Sequence, residues 1–256
     1  MMIAAIYDIH GNLPALESVL KEIDQAQPDL ILVGGDIVSG PMPRATLECL
    51  LALGDKVRFI RGNADREVVA AFDGLPLDPK LPEEVREGTI WTAKQLERSH
   101  RDFLAELPEQ MILGVDGLLD VLFCHGSPRS DEEIITSVTP EARLREILAG
   151  VKQNMVVCGH THMQFDLSID GVQLVNAGSV GMPYGEAGAY WLLLGPEVML
   201  RRTFYDLEQA AERIRSSGYP LAQDFADNNV LKPPTEAEAI EVFERMAAQR
   251  SYLYEH

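Results

Sequence analysis

Short apolar runs of strand length alternate along this chain with longer segments of helical period. They occupy 2–7, 30–33, 57–60, 121–124, 154–158, 173–175, 189–194 and 198–204. Runs apolar at nearly every position suit strands covered on both faces, which points to central sheets with helices outside, an α/β protein. Gly195-Pro196 between the last two runs reads as a hairpin turn.

The helical segments carry their own punctuation. Asn12 can cap a first helix, with Pro14 in its first turn and Leu16, Val19, Leu20 and Ile23 on one face. Residues 83–107 are helical in composition, and Ser99 with Asp102 three positions later marks a restart. Asp206 opens a helix that turns Leu207, Ala210, Ala211 and Ile214 inward and stops at Gly218. Thr235 with Glu238 forms a capping box ahead of a stripe of Ile240, Phe243 and Ala247. The stretch 65–107 is expected either to overhang the site or to form an outer layer, and 206–256 to supply packing helices.

The 256 residues are 46% hydrophobic, with no linker and no sustained repeat, so 1–256 is expected to be a single domain. A net charge of −18 opposes polymeric nucleic acid and anionic membrane surfaces. Cys49, Cys124 and Cys158 are odd in number and form no CxxC, as expected of small buried thiols in a reducing compartment. No basic segment precedes the first apolar run, and no run approaches the roughly 18 residues of a membrane span, so a cytoplasmic chain is expected. Oligomeric state is left open.

The ends of the runs carry the chemistry. Asp8-Ile9-His10 follows the first, Gly34-Gly35-Asp36 the second and Arg61-Gly62-Asn63 the third. His125-Gly126 follows 121–124, and Gly159-His160-Thr161-His162 follows 154–158. Strand C-terminal ends share one edge of an α/β sheet, where ligands bind. Each residue alone has a plain explanation as a cap, a turn residue or a core histidine. Together they place four of the six histidines at strand ends, leaving His100 and His256 to be read as exposed. On an extended backbone, side chains at i and i+2 point the same way, so Asp8 with His10, and His160 with His162, could each aim two donors at one cavity. Carboxylate, imidazole and amide oxygen suit manganese, iron, zinc or nickel, and one carboxylate can bridge two ions about 3.5–4 Å apart. Neighbouring glycines (Gly11, Gly35, Gly62, Gly126, Gly159) would allow close backbone approach.

The ordered series D-x-H, G-D, G-N-x-D, H-G, G-H-x-H, continued by Asn176-Ala177-Gly178-Ser179-Val180-Gly181, resembles the calcineurin-like metallophosphoesterases, in particular their small prokaryotic phosphodiesterase-like branch. The resemblance implies a four-layer α-β-β-α sandwich with two mixed sheets. It implies Asp8, His10 and His162 on one divalent ion, Asn63, His125 and His160 on a second, and Asp36 bridging them. Asp36, Asn63 and His125 would also serve catalysis, through in-line attack of a metal-bridging hydroxide on the phosphorus of a small phosphate ester. Phosphodiesters are the preferred substrate class, with phosphomonoesters or phosphoproteins as the alternative. Asn12, Asp65, Asn176 and Tyr184 are expected to support the ligands or touch substrate, Asp65 by orienting a histidine.

Where many relatives carry Gly-Asn-His-Asp/Glu, this chain has Gly62-Asn63-Ala64-Asp65, and alanine offers the leaving group no proton. General acid help is worth about 10²–10⁴ in rate, so either substrates with stable leaving groups are favoured or another group serves as the proton donor; slow turnover of alkyl phosphates is expected. Three rivals are weaker. Cys124-His-Gly-Ser-Pro-Arg129 has four residues where a cysteine phosphatase loop needs five. Gly35 to Gly40 has P-loop spacing, but Pro41-Met42 replaces the Lys-Ser/Thr. Retromer-type scaffold subunits share the fold but have lost metal ligands, whereas this chain keeps the full set.

Overall fold

Alternation within the apolar runs decides the layering. In β1 (Ile3–Ile6), Ile3 and Ala5 enter one buried cluster while Ala4 and Ile6 enter another. The first of these clusters also takes in Val121, Phe123, Met155, Val157 and Val175, so it lies between two sheets. The second joins Leu16 and Val19 of α1 (Leu13–Ala26) and Leu47 and Leu50 of α2 (Pro43–Leu51). The computed structural model describes residues 1–254, so His256 lies outside the described residues.

The first sheet has the order β10-β9-β1-β2-β3, adding β2 (Leu30–Val33), β3 (Val57–Phe59), β9 (Ala189–Leu194) and β10 (Val198–Thr203). Strands β1, β2 and β3 run parallel, and the β9–β10 hairpin returns antiparallel along β1. The second sheet has the order β4-β5-β6-β8-β7, built from β4 (Gln110–Val115), β5 (Leu119–Cys124), β6 (Met155–Cys158), β7 (Phe165–Ile169) and β8 (Val172–Asn176). Its outer face carries Leu122, Cys124, Val156, Cys158 and Leu174 against Leu144 and Ile147 of α6 (Glu141–Ile147). The result is a four-layer α-β-β-α sandwich of two mixed five-stranded sheets.

Two strands were missed in the sequence, β4 and β7, and both are antiparallel edges of the second sheet. An edge strand pairs with a neighbour on one side only, and these two also leave alternate residues to solvent. β4 accordingly alternates between exposed and partly buried positions, so no continuous apolar run marks it.

Between β3 and β4 lie α3 (Asn63–Phe72), α4 (Glu83–Gln95) and α5 (Arg98–Ala105). Val68, Ala93, Leu96 and Leu104 join the cluster on the helix-covered face of the first sheet. The helix restart falls at Glu97, not Ser99, and His100 is buried rather than exposed. One observation explains both: His100 Nδ1 accepts the Glu97 backbone N–H at 3.2 Å, capping the helix with an imidazole instead of a hydroxyl. After the second sheet come α7 (Leu207–Arg215), capped by Asp206 accepting from Gln209 N at 3.0 Å, α8 (Ala222–Phe225), a π-helical turn over Ala226–Leu231, and α9 (Glu236–Tyr254). Thr235 and Glu238 form the anticipated capping box, Thr235 N donating to Glu238 Oε2 at 2.9 Å. None of the described helices is long and apolar enough to cross a membrane.

Candidate metal centre

The parallel strands β1, β2 and β3 of one sheet and β5 and β6 of the other end at a common edge, where their following residues meet. Among the described residues, two groups of donors converge. Asp8, His10 and His162 form one, Asp36, His125 and His160 the other, with ligand atoms within 4.8 Å of one another in each. Asp36 Oδ2 lies between the groups, 3.6 Å from His10 Nε2 and 3.4 Å from His125 Nε2. Asp8 Oδ1 stands 3.4 Å from His162 Nε2 and 3.8 Å from His125 Nε2.

The backbone that brings them together is not extended. Asp8, His10, Asp36, His160 and His162 all have positive φ, between 48° and 67°. The i, i+2 alternation of a strand is therefore not what aligns each pair. The chain leaves the strand in left-handed turns, held by His10 N–H to Asp36 O at 2.9 Å and Gly159 N–H to His125 O at 2.8 Å. Aspartate and histidine are among the side chains that best tolerate that region. The flanking glycines make room for carboxylates: a Cβ on Gly62 would lie 2.1 Å from Asp36 Oδ1, and one on Gly159 2.6 Å from Asp8 Oδ2.

Hydrogen bonds aim the donors. His10 Nδ1 donates to Ser39 O at 3.2 Å, His125 Nδ1 to Gly34 O at 2.8 Å and His162 Nδ1 to Met182 O at 2.7 Å. A carbonyl only accepts, so each of these rings carries its proton on Nδ1 and turns Nε2 to the centre. Each aspartate spends one oxygen on a backbone amide, Asp8 Oδ2 on His160 N at 2.9 Å and Asp36 Oδ1 on Ala64 N at 2.8 Å, leaving the other for the centre. Asp65 does not orient a histidine as expected. Its two oxygens accept the Ile37 and Gly62 amides at 2.9 and 3.1 Å, tying the ends of β2 and β3 together. Asn12 caps α1 and donates to Gly181 O at 2.9 Å, so both ends of its amide are engaged away from the donors. Asn176 holds the 159–162 loop, donating to Gly159 O at 2.7 Å and Thr161 Oγ1 at 3.0 Å. Tyr184 stacks on His162, with ring centroids 5.8 Å apart and planes at 26°.

This cluster is electrostatically incomplete without cations. Asp8 Oδ1, Asn63 Oδ1 and His125 Nε2 are buried without a hydrogen-bond partner, and the Nε2 atoms of His10 and His162 face each other at 3.2 Å. Buried acceptors pointed at one another are costly unless a cation lies between them. Protons feel the same field. Burial alone would push the His125 imidazolium down, but Asp36 and Asp8 outweigh it and bring it up to about 10. Burial opposes ionisation of Asp36 as well, yet His125 and His10 hold it far below the carboxylate range. Burial and the charge of His125 push His160 down to about 4. Two oxygens, an amide oxygen and imidazole nitrogens suit a pair of divalent first-row ions, so the residues fit such a centre.

Glu67 also borders the centre, a residue the motif pattern does not include. Burial and the nearby Asp36 push its carboxyl up to about 7, against the pull of the Arg66 guanidinium and the Asn63 amide. Its spacing of four from Asn63 on α3 was the available signal, since i and i+4 share a helix face. Cys124 is fully buried and burial raises its thiol well above the usual range, so the cysteine-phosphatase reading has no accessible thiolate.

The chain is similar to several known proteins. A metallophosphoesterase of Sphaerobacter thermophilus is 28% identical, with a TM-score of 0.70 over 90% of this chain and 99% of that one. An uncharacterized Methanocaldococcus jannaschii protein, MJ0912, is 26% identical over 86% of this chain and 94% of its own. A symmetrical bis(5'-nucleosyl)-tetraphosphatase of Baumannia cicadellinicola is 26% identical over 56% of this chain; the match spans about half of that relative, 48%. The sequence pattern of the calcineurin-like phosphoesterase superfamily domain matches residues 1–195. The chain belongs to that superfamily and is a metal-dependent phosphoester hydrolase.

Proposed function

We propose that the chain hydrolyses small phosphodiesters with stable leaving groups at a two-ion centre. Asp8, His10 and His162 would hold one ion and Asn63, His125 and His160 the other, with Asp36 placed to serve both. The position of Asp36 Oδ2, within 3.6 Å of His10 Nε2 and 3.4 Å of His125 Nε2, carries this reading, because one oxygen then serves both groups. When bound, the ions supply a water of lowered pKa and neutralise charge growing on the phosphoryl oxygens. The chain's own part is orientation. Carbonyls of Ser39, Gly34 and Met182 fix three imidazoles, and backbone amides fix the two aspartates.

Ala64 supports the restriction on leaving groups: its N–H is spent on Asp36 and its side chain has no proton to give. A phosphoanhydride within a dinucleoside polyphosphate also has a stable leaving group. The tetraphosphatase relative favours that substrate as a second reading. Purified protein loaded in turn with manganese, iron, zinc and nickel, and offered aryl diesters, alkyl diesters, monoesters and a dinucleoside tetraphosphate, tests both. Aryl diesters or the tetraphosphate should turn over fastest, and Asp36→Asn should abolish turnover while the fold persists. Equal rates on matched aryl and alkyl diesters would contradict the reading.

A further inference from the structure

The family pattern stops at residue 195, yet α9, beyond it, packs on the ring that stacks on His162. Tyr184, stacked on His162, meets the edge of Phe243 of α9 at 5.8 Å and 79°. The adjacent Glu244 accepts hydrogen bonds from Thr136 Oγ1 at 2.6 Å and Thr139 Oγ1 at 3.2 Å. Just before Thr136, the Ile135 carbonyl accepts from Thr161 Oγ1 at 2.9 Å, within the loop that carries His160 and His162. Gly185 N donates to Pro234 O at 2.8 Å, pinning the Tyr184 segment to the approach of α9. Two successive residues of α9 thus hold the two segments that flank the 159–162 loop. Tyr184 is gripped by rings on two sides, so it cannot swing aside as an unsupported tyrosine would.

We propose that Tyr184, braced by Phe243, is a specificity-determining rim on the His162 side of the centre, limiting the size of the second substituent on phosphorus. This rests on the phosphodiesterase reading above. A rigid ring beside His162 occupies space that a large ester substituent would need, while a small one passes. Mis-sizing a pocket costs a substrate about 10–200-fold, enough to set a preference.

The test compares methyl 4-nitrophenyl phosphate with 1-naphthylmethyl 4-nitrophenyl phosphate, which share one leaving group and differ in the size of the spectator alkyl substituent. The wild-type protein should favour the methyl ester in kcat/KM. Tyr184→Ala and Phe243→Ala should each narrow that ratio by about tenfold, mainly through the KM of the naphthylmethyl ester. Phe243→Leu, which keeps most of the bulk, should retain the wild-type ratio. Calorimetric binding of methylphosphonate against 1-naphthylmethylphosphonate, which have no ester bond, should shift in the same sense. Tyr184 lies in a loop and Phe243 on a half-buried helix face, so misfolding of one variant leaves the other informative. A ratio unchanged in either folded variant, or both esters falling in parallel, would overturn the rim. Failure of the wild-type protein to cleave either diester with any of the four metals would instead overturn the diesterase reading, and the rim with it.

Discussion

Left-handed backbone at Asp8, His10, Asp36, His160 and His162 is the chain's clearest sign of a site. Such residues cost about 1–3 kcal/mol each and persist only where the surroundings over-determine them. Against a typical total stability of about 5–15 kcal/mol, five together would be ruinous without the hydrogen bonds that cross-link the turns. The strain turns each side chain out of its strand direction and toward the others. Ala64 is the informative absence among these residues. Ala64→His should raise turnover on alkyl leaving groups by up to about 100-fold, within the range of general acid catalysis, with little change on aryl esters. Steady-state rates on a matched pair decide it, and no gain with both ions bound would show that no donor is missing there. The donor identities were legible because aspartate, asparagine and histidine interrupt apolar runs abruptly. The left-handed backbone at five of them was not, since neither aspartate nor histidine requires it. The tasks of Asp65 and Glu67 were also hidden, because hydrogen-bond partners far apart in sequence decide whether a carboxyl serves backbone or site.

At the scale of elements, the strand ends place the donors and the glycines admit them. Gly62 follows β3 and precedes α3, and a Cβ there would meet Asp36 Oδ1 at 2.1 Å and Asp36 N at 2.4 Å. Backbone cannot yield as a flexible side chain can, so Gly62→Ala must displace Asp36. It should cost about 1–3 kcal/mol of stability, as overpacking does, and lower metal affinity by at least about tenfold. Denaturation midpoints and metal titration of the variant measure the two effects; wild-type values for both would contradict the crowding. Fully buried strands were readable as apolar runs, whereas β4 and β7, at an edge with one face open, were not. The restart at Glu97 was displaced by two residues because a histidine side chain, rather than serine, caps α5.

For the molecule as a whole, the centre couples fold, protons and metal. In metal-free protein the His125 imidazolium is favoured by Asp36 and Asp8, with its pKa raised from 6.5 to about 10. A group raised on folding contributes stability that is fully present below its unfolded pKa and lost as pH climbs through its folded pKa. Metal-free protein should therefore lose thermal stability between about pH 6.5 and 10. Loaded protein should not share that loss through His125, since a cation replaces the proton on Nε2. Loading should release protons at neutral pH and add about 2.7 kcal/mol per ion bound at a hundredfold excess of metal over Kd. Melting curves with and without metal across that pH range check the sign, and a metal-free stability that rises toward pH 10 would contradict it. Asp36 shared between two ions would fix the stoichiometry of the centre, which metal counted per chain reads out. Mass spectrometry under native conditions should find two divalent ions on the wild-type chain and fewer than two on Asp36→Asn. A wild-type chain that saturates at one ion, or an Asp36→Asn chain that still holds two with undiminished affinity, would contradict it.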